Sequence, residues 1–302
     1  MHPFARLRRS CAALLGAWAV AVAFPAAGQG PVTPRHVHGL GYSPDGSRLM
    51  IPSHDGLAVY SGGHWSKAPG PQHDYMGFAV SREFIFSSGH PAPGTGLANP
   101  FGLIRSRDGG QSWDKLGLEG EADFHVMAAG YANGAVYLHN AAPNSRMPRP
   151  GIYRLIGQGL GWCRADGRGL HGEIHALAVH PTDAGTLAAA TSAGVFLSRS
   201  GGDDFKPIVQ GAQALAACFT LDGHSLWFSA FDGKPSLTRV ALGNGARAEI
   251  ALPSLGRDAV AYIAQNPARP TEFAIATFER SVFLTPDAGK TWRPIAERGR
   301  AR

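Results

Sequence analysis

A four-strand pattern repeated six times, a glycine- and proline-rich composition and a recurring Asp-Gly-Trp turn together predict an all-β fold, a six-bladed β-propeller. The 302 residues include 40 Gly and 22 Pro and are 44% hydrophobic, enough for a full-sized core but with few long helical periodicities. Strands and turns are therefore expected throughout. A seven-bladed ring would need residues the chain lacks, unless two blades are merged or irregular.

The N-terminus reads as separate from this domain. Arg6, Arg8 and Arg9 precede an apolar run from Cys11 to Phe24, and Ala26-Ala27-Gly28 follows before Gln29. That layout predicts a signal peptide over 1–28, a single propeller domain over 29–302 and a periplasmic or secreted protein, with no membrane span after cleavage. Arg8-Arg9 leaves Sec and Tat export both open, and Cys11 sits too early for lipidation. Cleavage leaves Cys163 and Cys218 in different repeats, so spacing does not decide whether they pair. The formal charge of +6 comes largely from Arg6, Arg8 and Arg9 and from the tail Arg298, Arg300 and Arg302, which leaves no basic stripe for nucleic acid.

The turn motif sets the repeat length. Ser106-Arg107-Asp108-Gly109-Gly110-Gln111-Ser112-Trp113 recurs as Thr285-Pro286-Asp287-Ala288-Gly289-Lys290-Thr291-Trp292, with a degenerate copy at Ser198 to Phe205 in which Ser200 replaces the Asp. The Asp should accept hydrogen bonds inside its own turn, Gly supplies positive φ, and the aromatic anchors the next strand. The aromatics Trp65, Trp113, Trp162 and Phe205 are spaced 48, 49 and 43 residues apart, and Trp292 follows 87 later, about two units. One turn has therefore decayed near Gly243 to Glu249. Between these marks the chain shows six small-residue inner strands: 39–42, 77–80, 126–129, 176–179, 214–217 and 262–265. Second and third strands follow each, and the second-to-third loops Ser88–Pro100 and Asn140–Pro150 are long, where binding is expected on a rigid scaffold.

Candidate functional residues emerge from the register of these strands. The position before each inner core reads His38, Met76, His125, His175, Gln213 and Ala261. Two residues earlier, on the same strand side, the series is His36, Asp74, Asp123, Glu173, Gly211 and Ala259. Antiparallel return adds His54, His90 and His139 from the second strands. All should gather at one channel mouth, with the Asp turns on the opposite face. His38, Met76, His125 and His175 make a metal site of three imidazoles and a thioether, suited to copper, and His36, His54, His90 and His139 stand as further ligands or supports. The carboxylates Asp74, Asp123 and Glu173 orient imidazoles, shift the preference towards zinc, or act as an acid and base. His171 and His180 read as turn or surface residues, and His64, His73 and His224 as exposed.

The turns carry a family resemblance as well. The pattern S/T-x-D-x-G-x-S/T-W at Ser106 and Thr285 resembles the Asp-box (BNR) repeat family, whose boxes lie between the third and fourth strands of propeller blades. The strings His36 to Tyr42, Ser88 to Ala92 and Asp123 to Tyr131 are similar to exported Asp-box propellers labelled glycosyl-hydrolase or exo-sialidase-like. A sialidase would also need an arginine triad. Arg35, Arg105, Arg154 and Arg257 do not supply one near the inner strands. Other Asp-box propellers resemble photosystem-assembly and sorting-receptor proteins and bind partners without catalysis. The expectation is thus a non-catalytic exported propeller binding a metal ion, plausibly copper, or an exported protein at the mouth. The alternative is a glycoside hydrolase acting on a glycan through the carboxylates.

Overall fold

The structure, a computed structural model, describes Val32 and residues 36–156 and 161–302, so the predicted signal segment lies outside the described residues. Among the described residues twenty-five strands form six antiparallel sheets, five of them four-stranded and the last five-stranded. Within each sheet the strands follow chain order, so every blade is a simple meander. The inner strands Gly41–Tyr42, Asp74–Val80, Met127–Ala129, Ile174–Val179, Gln213–Phe219 and Val260–Gln265 each touch the next, and the last touches the first. The chain is a closed six-bladed β-propeller.

Crowding at the axis explains the small residues there. A Cβ added at Gly77 would lie 2.0 Å from Phe124 O of the next blade, so only glycine lets those two inner strands approach. Farther out the sheets diverge and larger side chains fill the gaps. Each of six buried clusters spans one blade junction, as where Tyr137 and Ile152 of the third blade meet Leu187 and Phe196 of the fourth. Hydrophobic burial between blades, at roughly 1.5–3 kcal/mol for each fully buried large side chain, is what makes the ring one body.

Among the described residues no strand is exchanged between the first and last blades, and side chains tie them together. Trp65 Nε1 donates to Ile295 O at 2.8 Å, and Asn266 Nδ2 donates to Gly46 O at 3.0 Å. Val32 is buried in the same junction, with Ala58 and Ala296.

The Asp turns are braced as their composition requires. Asp108 Oδ1 accepts from Ser106 Oγ at 2.8 Å and from the Gln111 and Ser112 amides at 3.0 and 2.9 Å, while Ser112 Oγ donates to Oδ2 at 2.6 Å. The Thr285 copy repeats this, with Thr291 N and Oγ1 donating to Asp287 at 2.9 and 2.7 Å. In the degenerate copy Ser200 Oγ takes over the acceptor role, from Asp204 N at 2.9 Å. The decayed turn of the fifth blade leads into a three-residue outer strand, Arg247–Glu249.

Candidate functional site

A β-bulge repeated at one place in the inner strands builds the site. The register shifts between Tyr75 and Gly77, Ile174 and Ala176, Ala214 and Ala216, and Val260 and Tyr262, which leaves Met76, His175, Leu215 and Ala261 as the extra residues. His38 and His125 hold the matching place in the first and third blades, since His38 N donates to Pro52 O and His139 N to Val126 O. The bulge corrects the fifth-blade alignment: Leu215, not Gln213, occupies the ligand position, and Gln213 takes the place expected for Gly211. A bulge re-aims its side chain. His38, His125 and His175 accordingly line a channel cavity of about 210 Å³, whose other end is lined by Tyr42, Tyr131, Pro181 and Leu221. Strand polarity sends the second-to-third loops to the histidine mouth and the Asp turns to the other face.

Three imidazoles converge at the first blade. His36 and His38 precede its inner strand and His54 follows its second strand, so antiparallel pairing returns His54 beside them. Ring centroids are 4.4 Å apart for His36–His54 and His38–His54, and one ligand atom from each of the three lies within 4.8 Å of the others. Asp74, from the start of the next blade, sets Oδ1 2.7 Å from His54 Nδ1 and 3.9 Å from His38 Nδ1. The closer approach is a charge contact off the hydrogen-bonding direction. Asp74 Oδ1 and His38 Nδ1 are thus both buried without a hydrogen-bond partner, which is costly unless something else satisfies them. Burial first, and then the neighbouring His54, lower the pKa of His38 to about 4, so its imidazole is neutral at neutral pH.

The remaining candidates are placed differently. His90, Asp123 and His125 meet at the next blade junction, where Asp123 Oδ2 lies 3.2 Å from His90 Nε2 and 2.7 Å from His125 Nε2. His175 Nδ1 donates to Ala214 O at 2.7 Å, and Glu173 is exposed. Met76 is half-buried at its bulge. His139 pairs with Ile152 inside its sheet, two residues short of the place held by His54 and His90, and burial lowers its pKa. His73, expected to be exposed, is buried: its Nδ1 accepts from Ala92 N at 3.0 Å and its ring meets Tyr75 and Phe101. Asn99 was not anticipated. It reaches from the long loop of the second blade to bring Oδ1 within 2.6 Å of His90 Nδ1; the loop's length was the only signal of it in the sequence. Cys163 and Cys218 are both free, and burial raises the pKa of the channel-lining Cys218 thiol to about 12.

No protein-family model matches the chain, and no curated protein sequence matches it. Solved structures share its fold. A GH74 xyloglucanase from Xanthomonas campestris is 15% identical with a TM-score of 0.54, covering 88% of this chain and 46% of that one. The chain thus spans less than half the length of that enzyme. YCF48 bound to D1 peptide is 18% identical with a TM-score of 0.51, covering 88% of this chain and 83% of that one. An extracellular domain from B. thetaiotaomicron is 11% identical with a TM-score of 0.55, covering 89% and 34%. At these identities the likeness shows the propeller fold alone. Among the described residues no helix is long and apolar enough to cross a membrane.

Proposed function

We propose that this is an exported, non-catalytic Asp-box propeller that holds a transition-metal ion at His36, His38 and His54 and presents it to a partner at the channel mouth. The reading is carried by one observation: three imidazoles gathered within 4.8 Å beside a buried nitrogen and a buried oxygen that lack hydrogen-bond partners. Three nitrogens with a neighbouring carboxylate suit zinc or copper(II). A tetrahedral shell with bonds of about 2.0 Å sets its ligand atoms roughly 3.3 Å apart. The exposed His36 and His54 side chains would close on the part-buried His38 by a small movement. Asp74 would orient His54 through Nδ1, the support that ligating histidines commonly receive.

The ion would stabilise the mouth and offer an open position to a ligand from outside. A peptide or exported protein fits that geometry, as the peptide-bound YCF48 illustrates for the same scaffold. Export follows from the signal layout of residues 1–28. Metal analysis of protein purified without a histidine tag tests the reading. We expect one tightly held zinc or copper ion, lost in His38→Ala and in His54→Ala but retained in Met76→Leu. Metal-free protein that also fails to take up zinc or copper on dialysis would refute it.

A further inference from the structure

The face opposite the histidine mouth carries a cavity of its own, a groove of about 430 Å³ between the second and third blades. We propose that this groove binds a small organic carboxylate with an apolar body, drawn in by Arg82 and Arg105 on its wall. Strand pairing places it. The turn 81–84 leads into the second strand of one blade and the turn 131–135 into that of the next, while the third strands end beside them at Ser106 and Ile156. Ser106 opens the Asp turn, so the groove lies on the Asp-turn face. Arg82 N donates to Tyr131 O at 2.7 Å and joins the two turns, which makes the groove a preformed feature of the fold. Its volume falls within the roughly 300–1,000 Å³ of small-molecule sites, whereas the channel cavity is smaller.

All three cation–π contacts among the described residues lie here. Arg105 Cζ stands 4.6 Å and Arg107 Cζ 4.4 Å from the centre of the Phe84 ring, and Arg82 Cζ 5.7 Å from that of Tyr131. Stacking holds a planar guanidinium by its face and leaves its N–H edge to donate to a carboxylate. The acidic neighbours are fewer than the arginines. Asp114 Oδ2 is 3.4 Å from Arg105 Nε but its side chain is 68% exposed, where water screens the pair. Glu83 lines the groove itself, and Asp108 is engaged by four hydrogen bonds inside its own turn. The rest of the lining is apolar: Phe86 and Val136 are buried beneath it, Leu155 is half-buried and Ile156 is 44% exposed. A cationic wall over an apolar floor favours a molecule with both characters. An apolar molecule alone gains nothing from the arginines, and a bare carboxylate gains nothing from the floor.

Isothermal titration calorimetry with phenylbutyrate and with its uncharged amide, phenylbutyramide, tests this. Phenylbutyrate should bind at a single site, roughly 10-fold or more tighter than the amide, and added NaCl should weaken the acid alone. Arg82→Met/Arg105→Met, which keeps apolar stems against the rings, should abolish that preference. Ile156→Asp should weaken both probes, and Glu83→Gln should tighten the acid alone. His36→Ala/His54→Ala, altered at the mouth, should bind as the wild type does. Melting temperatures establish that the variants fold. Equal affinity for acid and amide, or no saturable binding of phenylbutyrate, would overturn the proposal. So would binding that survives Arg82→Met/Arg105→Met and is lost in His36→Ala/His54→Ala, since the probe would then sit at the mouth.

Discussion

At the scale of single residues, partners decide what each polar group does. Asp74 is a half-buried carboxylate whose close side-chain contacts among the described residues are the His38 and His54 imidazoles, so its removal should act on the proposed metal site and little on the fold. Asp74→Asn should weaken the tight ion by roughly 10- to 100-fold, read from competition with a chromogenic chelator. Asp287 behaves differently, being committed to its turn. Hydrogen bonds from Thr291, and then from Thr285, hold its pKa at about 2, below the ordinary carboxylate value. A depressed carboxylate stabilises the fold above its unfolded pKa, and that contribution is lost as pH falls from about 4 through about 2. NMR titration of the Asp287 carboxyl should give a midpoint near 2, and Asp287→Ala should abolish the associated loss of stability on acidification. A midpoint at the unfolded value would mean that the brace does not form in solution.

Strands and turns show how much of this could be read from sequence. Turn spacing counted the blades correctly because Asp, Gly and Trp each answer a local requirement of a hairpin, and local requirements are visible in one chain. Strand polarity then put Asp turns and histidines on opposite faces. Register inside the strands was less legible. In the fifth blade small residues lie on both sides of the β-bulge, Ala214 before it and Ala216 and Ala217 after it, so the small-residue pattern points to Gln213 where the structure places Leu215. His139 stands two residues short of the place of His54 and His90, a difference that only the pairing of the second strands reveals, and the burial of His73 comes from tertiary packing on Tyr75 and Phe101. The division into pairs, His54 with Asp74 and His90 with Asp123, arises between blades and has no sequence signature. The same tertiary logic separates the tryptophans. Trp65 Nε1 bonds across the closing junction, whereas Trp162 Nε1 is buried with no partner. Trp65→Phe should therefore cost about 1 kcal/mol more than Trp162→Phe in urea unfolding, and equal losses would show that the closing bond contributes nothing.

At the largest scale the propeller is a ring whose seam, among the described residues, depends on side chains, with its candidate metal chemistry confined to one mouth and to the first three blades. An ion at His36, His38 and His54 would tie the segment entering the first blade to that blade's second strand, close to the seam. Binding to the native state alone stabilises by mass action. Saturating Zn²⁺ should raise the melting temperature of the wild type and leave that of His36→Ala/His54→Ala unchanged. The central claim, that three imidazoles of the first blade share one ion, is tested most directly by anomalous diffraction at the absorption edge of the bound metal. The account predicts a peak within about 2.0–2.1 Å of one nitrogen from each of His36, His38 and His54. A metal-soaked crystal with no peak there, or with its strongest peak shared by His125 and His175 across the channel, would contradict it.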